Sequence, residues 1–239
     1  MAGHSKWHNI KHKKAKEDAK KGLIFTKLSK EISVAVKHGG VDPSFNIPLR
    51  LLLEKAKENN MPKENVERAI KKGSGQLEGV NYESIMYEGY APCNVAVIIE
   101  ALTDNKNRTI SDLRCYFSKH GGRMVDAGTV SWMFEKKGQI EIDAQGMSEE
   151  KLTDIFLETD INDIKMSDDS TFLISEMENV EVVREFAEKK GFKVKSASLI
   201  WMAKNNTELT SDDDKEKVMT FLENLDELDD VQTLFVNLE

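Results

Sequence analysis

The chain has 239 residues, 39% apolar and 32% charged, with a net charge of −8. That is room for one large or two to three small domains, and the apolar residues recur in periodic runs that a disordered polyelectrolyte lacks. No apolar run approaches the ~18 residues of a membrane span. The N-terminus has no apolar stretch of the secretory kind, has no arginine, and reaches an acid at Glu17, so neither a secretory signal nor a mitochondrial transit segment is expected. Ala2 stands where N-myristoylation requires glycine. Cys93 and Cys115 have no CxxC or metal-ligand spacing, which predicts a reduced, cytoplasmic setting with both thiols as small apolar fillers.

In chain order, the first 40 residues hold ten lysines against three acids, a local +7 that leaves −15 for the remainder. Lys6, Lys11, Lys13, Lys14, Lys16, Lys20, Lys21, Lys27 and Lys30 are candidate phosphate contacts, with Trp7 and His8 as candidate stacking or hydrogen-bonding partners. A solvated helix face is the plainer role for such a run. The arm lacks arginine and so lacks the planar fork that reads guanine, which predicts non-specific anchoring rather than base readout. His4, His8 and His12 share a helical spacing, but lysines surround them and no Cys or carboxylate precedes Glu17, so no metal is expected.

Ile24, Leu28, Ile32 and Val36, widened by Phe25 and Ala35, predict an amphipathic helix closed by Gly39-Gly40. A second stripe (Leu49, Leu52, Leu53, Ala56) runs from Pro48 to Asn59-Asn60. A third helix, Pro62 to Lys72, carries Val66, Ala69 and Ile70. Residues ~10–75 therefore read as a helical domain, followed by a linker from Gly73 to Gly79. Beyond it come a strand at Asn94–Leu102, a helix at Arg108–His120, and strands near Thr129–Phe134 and Gln139–Ile142. A helix at Ser148–Glu158, strands near Asp163–Ser167 and Thr171–Ser175, a helix at Val180–Lys190 and a strand at Lys193–Trp201 follow. A helix around Asp214–Leu225 and a strand near Val231–Asn237 close the chain. The expected fold is α+β in three domains. Residues 1–78 form the basic arm and helical domain, 79–137 plus 205–239 a discontinuous split βαβ (ferredoxin-like) domain, and 138–204 a second such domain inserted in the first.

The remaining motifs divide by chemistry. Asp104 to Thr109 sits at a strand-to-helix junction, where Arg108 either meets a phosphate or pairs with an acid beside a capped helix. Lys190-Gly191-Phe192-Lys193-Val194 echoes an RNA-recognition strand only faintly, and Gly191 reads better as a helix cap. Asp212 to Asp214 reads as an acidic helix start and Asp226 to Asp230 as a solvated turn. No GxSxG, Walker A, HExxH or GxGxxG stands in a fitting context, and no histidine follows His120, so no catalytic residue, cofactor or small-molecule substrate is expected. As a DNA-recognition helix, Pro62 to Lys72 offers Asn65 and Arg68 to bases but places Glu64 and Glu67 near its start, where phosphates repel them.

Several blocks resemble the YebC family in its own order. These are Met1-Ala2-Gly3-His4-Ser5-Lys6-Trp7, residues 21–28, Gly39-Gly40-Val41-Asp42-Pro43, Asn59-Asn60-Met61-Pro62 and Tyr87-Glu88-Gly89-Tyr90. Residues 103–109, Phe117-Ser118-Lys119-His120-Gly121-Gly122 and Asp229-Asp230-Val231-Gln232 complete the set. The family reads Gly-Pro-Gly-Gly after the Tyr-Glu-Gly-Tyr block, where this chain has Ala91-Pro92-Cys93-Asn94. The resemblance implies a three-domain, non-enzymatic protein. Family members have been called DNA-binding transcriptional regulators; others, including the mitochondrial translational activator of cytochrome c oxidase, act in translation, and bacterial members are linked to relief of ribosome stalling. The expected partner is nucleic acid, ribosomal RNA or DNA, with the ribosome as the favoured target. A sequence-dependent DNA-binding regulator and a protein-binding scaffold using the acidic domains are the alternatives.

Overall fold

The computed structural model describes residues 18–78, 81–144, 146–167 and 170–238, with side chains described from Lys21 onward. They fall into two compact bodies. One contains residues 18–130 and Leu209–Leu234; the other contains Ser131–Glu208 and the residues from Phe235.

The first body begins with helices α1 (Asp18–Gly39), α2 (Ile47–Glu58) and α3 (Lys63–Gly73). Leu28, Ile32 and Val36 of α1 meet Leu49, Ala56, Met61 and Ala69 in a closed core, the stripes the sequence spacing predicts. Each fully buried Leu or Ile here contributes about 1.5–3 kcal/mol. Asn46 builds the α1–α2 corner. Its side chain accepts from Leu49 N at 3.1 Å and donates to the carbonyls of Ala35 and Gly40, each at 2.8 Å. Gly73 belongs to α3 rather than to a linker, because a Cβ there would strike the Ser33 carbonyl and Val36 of α1.

A four-stranded sheet follows, of β1 (Glu83–Tyr90), β2 (Ala96–Thr103), β3 (Arg123–Val125) and β8 (Val231–Val236, of which Val231–Leu234 belong to this body), in the order β3-β1-β2-β8. β1 is antiparallel to both β2 and β3. Helix α4 (Lys106–Lys119) joins β2 to β3 with β1 lying between them. The strand near Thr129–Phe134 takes another form. Ser131–Met133 is a 3-10 turn, and the backbone before it is held by Glu88, whose carboxylate accepts from Gly128 N at 2.8 Å and Val130 N at 2.6 Å.

The second body is built from β4 (Phe134–Asp143), α5 (Glu149–Phe156), β5 (Ile161–Met166), β6 (Thr171–Ser175), α6 (Val180–Lys189) and β7 (Lys193–Ala203). Its sheet order is β5-β6-β4-β7, all neighbours antiparallel, which is the ferredoxin-like order. Phe156 anchors its core, with Phe186 and Phe192 at centroid distances of 5.7 and 5.5 Å. Phe192 thus faces inward, and Gly191, at φ +90°, follows the end of α6 as a cap. β4 starts at Phe134, so a domain boundary at 138 would fall within a strand.

Helix α7 (Asp212–Asp226) returns the chain to the first body, capped by Ser211, whose hydroxyl accepts from Asp214 N. The first sheet therefore has the spatial order of the second with one change in chain order. The strand that would follow β3 is instead β1, supplied from before β2, and the second body occupies the vacated place in the chain. Cys93 and Cys115, expected as buried fillers, are both exposed. Cys93 and Asn94 lie in a tight turn at φ 60° and 58°, the left-handed region that glycine enters freely. The turn thus keeps a glycine-type backbone without glycine. Among the described residues no helix is long and apolar enough to cross a membrane.

Candidate nucleic-acid interface

The charge asymmetry follows the domain organisation. Residues 1–78 hold 17 basic and 9 acidic side chains, a net +8, which leaves −16 for residues 79–239. Of the expected contacts, Lys6, Trp7, His8, Lys11, Lys13, Lys14 and Lys16 lie outside the described residues, as do His4, His12 and the side chain of Lys20. Lys21 is exposed on the first turns of α1.

Lys27 and Lys30 are placed differently from the expectation that they face a phosphate. Both point from α1 toward the segment between α7 and β8. Lys27 Nζ donates to the Asp226 carbonyl at 2.6 Å and lies 3.3 Å from its carboxylate. Lys30 Nζ donates to Asp230 Oδ1 at 2.8 Å and to the Asp229 carbonyl at 2.8 Å, with only 10% of its side chain exposed. A lysine fixed this way would have to break a buried pair to reach an external phosphate.

The Asp226 to Asp230 segment is accordingly not a solvated turn. Asp230 is 8% exposed and gathers partners from three elements. Besides Lys30, it accepts from the Thr109 hydroxyl at 2.8 Å, the Thr103 hydroxyl at 3.2 Å and Arg108 Nη2 at 3.0 Å. Burial alone would raise its pKa, but the bonds from Lys30, Thr109 and Arg108 outweigh that and bring it down to about 2. Arg108 also bonds Asp104 at 2.7 Å, and the Asn105 side chain caps α4 by accepting from Arg108 N at 3.1 Å. The Asp104–Thr109 motif is thus occupied by internal partners: its helix start is capped and its arginine is ion-paired. With Asp229-Asp230 it forms one polar hub that fastens the helical layer to the first sheet.

Two other sequence blocks resolve into packing. A Cβ on Gly89 would lie 2.5 Å from Phe117 Cε1, and one on Gly122 would lie 2.9 Å from Phe117 Cδ1. The Phe117 ring, fully buried, therefore requires both glycines for space.

A basic cleft among the described residues stands open to solvent. Helices α1 and α3 frame a cleft of about 370 Å3 lined by Phe25, Thr26, Ser29, Asn65, Arg68, Lys72 and Tyr82, among others. Arg68 and Lys72 are exposed and one helical turn apart. Sequence patterning singles out Asn65 and Arg68 as base readers but misses Lys72 and Tyr82. The 65, 68, 72 spacing on one helix face was the available signal. Phe45, 87% exposed beside α2, and Trp132, 67% exposed, were likewise not anticipated.

Comparison with known proteins places these features in a family. Residues 5–76 match the model of the TACO1/YebC protein N-terminal domain, and residues 82–238 that of the TACO1/YebC second and third domain. A probable transcriptional regulatory protein of Thermoanaerobacter pseudethanolicus is 48% identical over 240 residues, covering 100% of this chain and 97% of that protein. Another of the same description from Thermotoga maritima is 48% identical, covering 100% and 94%. The crystal structure of the conserved hypothetical protein Aq1575 from Aquifex aeolicus superposes with a TM-score of 0.85 at 45% identity, covering 96% of this chain and 95% of that one. Matched along nearly its whole length, the chain belongs to the TACO1/YebC family.

Proposed function

We propose that this protein is a non-enzymatic, cytoplasmic regulator of gene expression that binds nucleic acid through its basic N-terminal domain and acts on the translating ribosome to relieve stalling. The observation that carries this is the split of charge, +8 in residues 1–78 against −16 beyond. Lysines near a polyanion release counterions and bind without reading sequence, whereas the acidic domains are repelled by phosphate. A protein with one cationic end and two anionic domains suits insertion of that end into a ribosomal RNA cleft better than lying along a duplex. Exposed Glu64 and Glu67 on α3 also disfavour that helix in a DNA major groove.

The second reading is a DNA-binding transcriptional regulator, favoured by the names its relatives carry. Co-sedimentation of the full chain with purified ribosomes over a salt series separates the two. The translational reading expects ribosome binding that weakens steeply with salt, and a chain lacking residues 1–17 with a shallower slope, by ~0.7–0.9 units per lost phosphate contact. Failure to sediment with ribosomes, together with tight selective binding of one promoter at physiological salt, would refute it.

A further inference from the structure

Arg68 and Lys72 differ from the other cations on the α1 face of this domain. Lys27 and Lys30 are matched by Asp226 and Asp230, and Lys37 donates to Asn81 at 3.0 Å. Among the described residues no carboxylate pairs with Arg68 or Lys72, although Glu64 stands one turn before Arg68 on the same helix. Two exposed, unmatched cations on one wall of a cleft hold an uncompensated positive field there, and the cleft focuses it.

The other groups in the cleft suit more than a bare anion. The Asn65 amide carries both a donor and an acceptor. Tyr82 and Phe25 add two aromatic rings, and the Lys30 ammonium sits 5.7 Å from the Tyr82 ring centroid, which fixes that ring from one side. Cations for phosphate, a ring for stacking and an amide for a base edge are the groups a nucleotide requires. At about 370 Å3 the cleft lies near the lower end of small-ligand sites and is too small to admit a duplex.

We propose that the α1–α3 cleft is a subsite for single-stranded nucleic acid, a backbone phosphate bound by Arg68 and Lys72 and a base seated against Tyr82 and Phe25 with Asn65 at its edge. Arginine supplies a planar fork to the phosphate, and lysine a point charge beside it. This rests on the nucleic-acid reading of the basic domain and gives it a located contact among the described residues, on α1 and α3.

The test uses the full chain with ten-residue oligouridylate and oligothymidylate carrying 4-thio bases, in a salt series, with photo-crosslinks mapped by mass spectrometry. Crosslinks are expected at Tyr82 or Phe25. In the Arg68→Ala/Lys72→Ala variant the single-strand salt slope is expected to fall by ~0.7 units, the one phosphate that both cations hold. The two oligomers report whether the sugar matters. If the full chain binds but the variant keeps its slope and crosslinks map elsewhere, the cleft is overturned and the nucleic-acid reading stands. If the full chain binds neither oligomer nor ribosomes, both fall. Equal affinity for a duplex, or displacement by oligoglutamate at equal charge, overturns the single-strand assignment. The thermal midpoint guards against misfolding, and Arg68→Lys/Lys72→Arg, which keeps both charges, is expected to restore the slope.

Discussion

Replacing Asp230 with Asn tests the polar hub most sharply. The substitution keeps the shape and removes the charge that Lys30, Arg108 and Thr109 surround. The carboxyl falls from its ordinary 3.8 to about 2, a shift worth about 2.4 kcal/mol at ~1.36 kcal/mol per unit. Because the folded-state pKa is depressed, this stabilisation is present above about pH 4 and is lost as pH falls through about 2. At pH 2.5 less than about 1 kcal/mol of it remains. Lys30 adds to the cost, since its ammonium stays buried opposite a neutral amide, and breaking one side of a buried pair costs about 3–5 kcal/mol. The two figures describe overlapping effects, so Asp230→Asn is expected to lose about 2–4 kcal/mol at pH 7. Urea unfolding followed by circular dichroism, at pH 7 and 2.5, measures the loss and its decline. A double-mutant cycle with Lys30→Met is expected to show a coupling of at least about 1.5 kcal/mol. A loss under about 0.5 kcal/mol at pH 7, or one that stays constant between the two pH values, would refute the hub.

Four further substitutions test local geometry. Cys93→Gly and Asn94→Gly relieve left-handed strain of about 1–2 kcal/mol each but add chain entropy to the unfolded state, so each is expected to gain about 0.5–1 kcal/mol in urea; a loss at both would show the turn is not strained. Gly73→Ala drives a methyl into the Ser33 carbonyl at the α1–α3 crossing and is expected to lower stability by about 1–3 kcal/mol, whereas an unchanged urea midpoint would contradict the close approach. Among the described residues the Gln232 side-chain nitrogen and oxygen, both buried, have no hydrogen-bond partner, so Gln232→Met is expected to raise stability by about 1 kcal/mol or more. A measured loss there would mean the amide has a partner in solution.

The helical domain was readable in the sequence because its cores obey a 3.6-residue period: Leu28, Ile32 and Val36 are buried as their spacing requires. β1 was not, because its inward positions include a glutamate, Glu88, whose carboxylate is satisfied by backbone 40 residues away. Thr129-Val130 looked strand-like by composition, yet the same glutamate bends that backbone into a turn. The hub was hidden for a related reason. Consecutive acids read as solvated unless their cations are known, and Lys30 is 200 residues from Asp230. The lysine run likewise gave the sign of the domain's charge but not which lysines point inward, since Lys27 and Lys30 sit beside the buried Leu28 at positions that only the tertiary fold orients. The cleft required two helices and Tyr82 to converge, which local spacing does not report.

The proposed function requires the basic end to meet ribosomal RNA. Ultraviolet crosslinking in growing cells, followed by sequencing of the bound nucleic acid and mapping of the crosslinked peptides, decides whether it does. The expected result is ribosomal RNA joined to peptides from residues 1–78, including the α1–α3 cleft. Enrichment of promoter DNA, or crosslinks confined to the acidic domains, would contradict it.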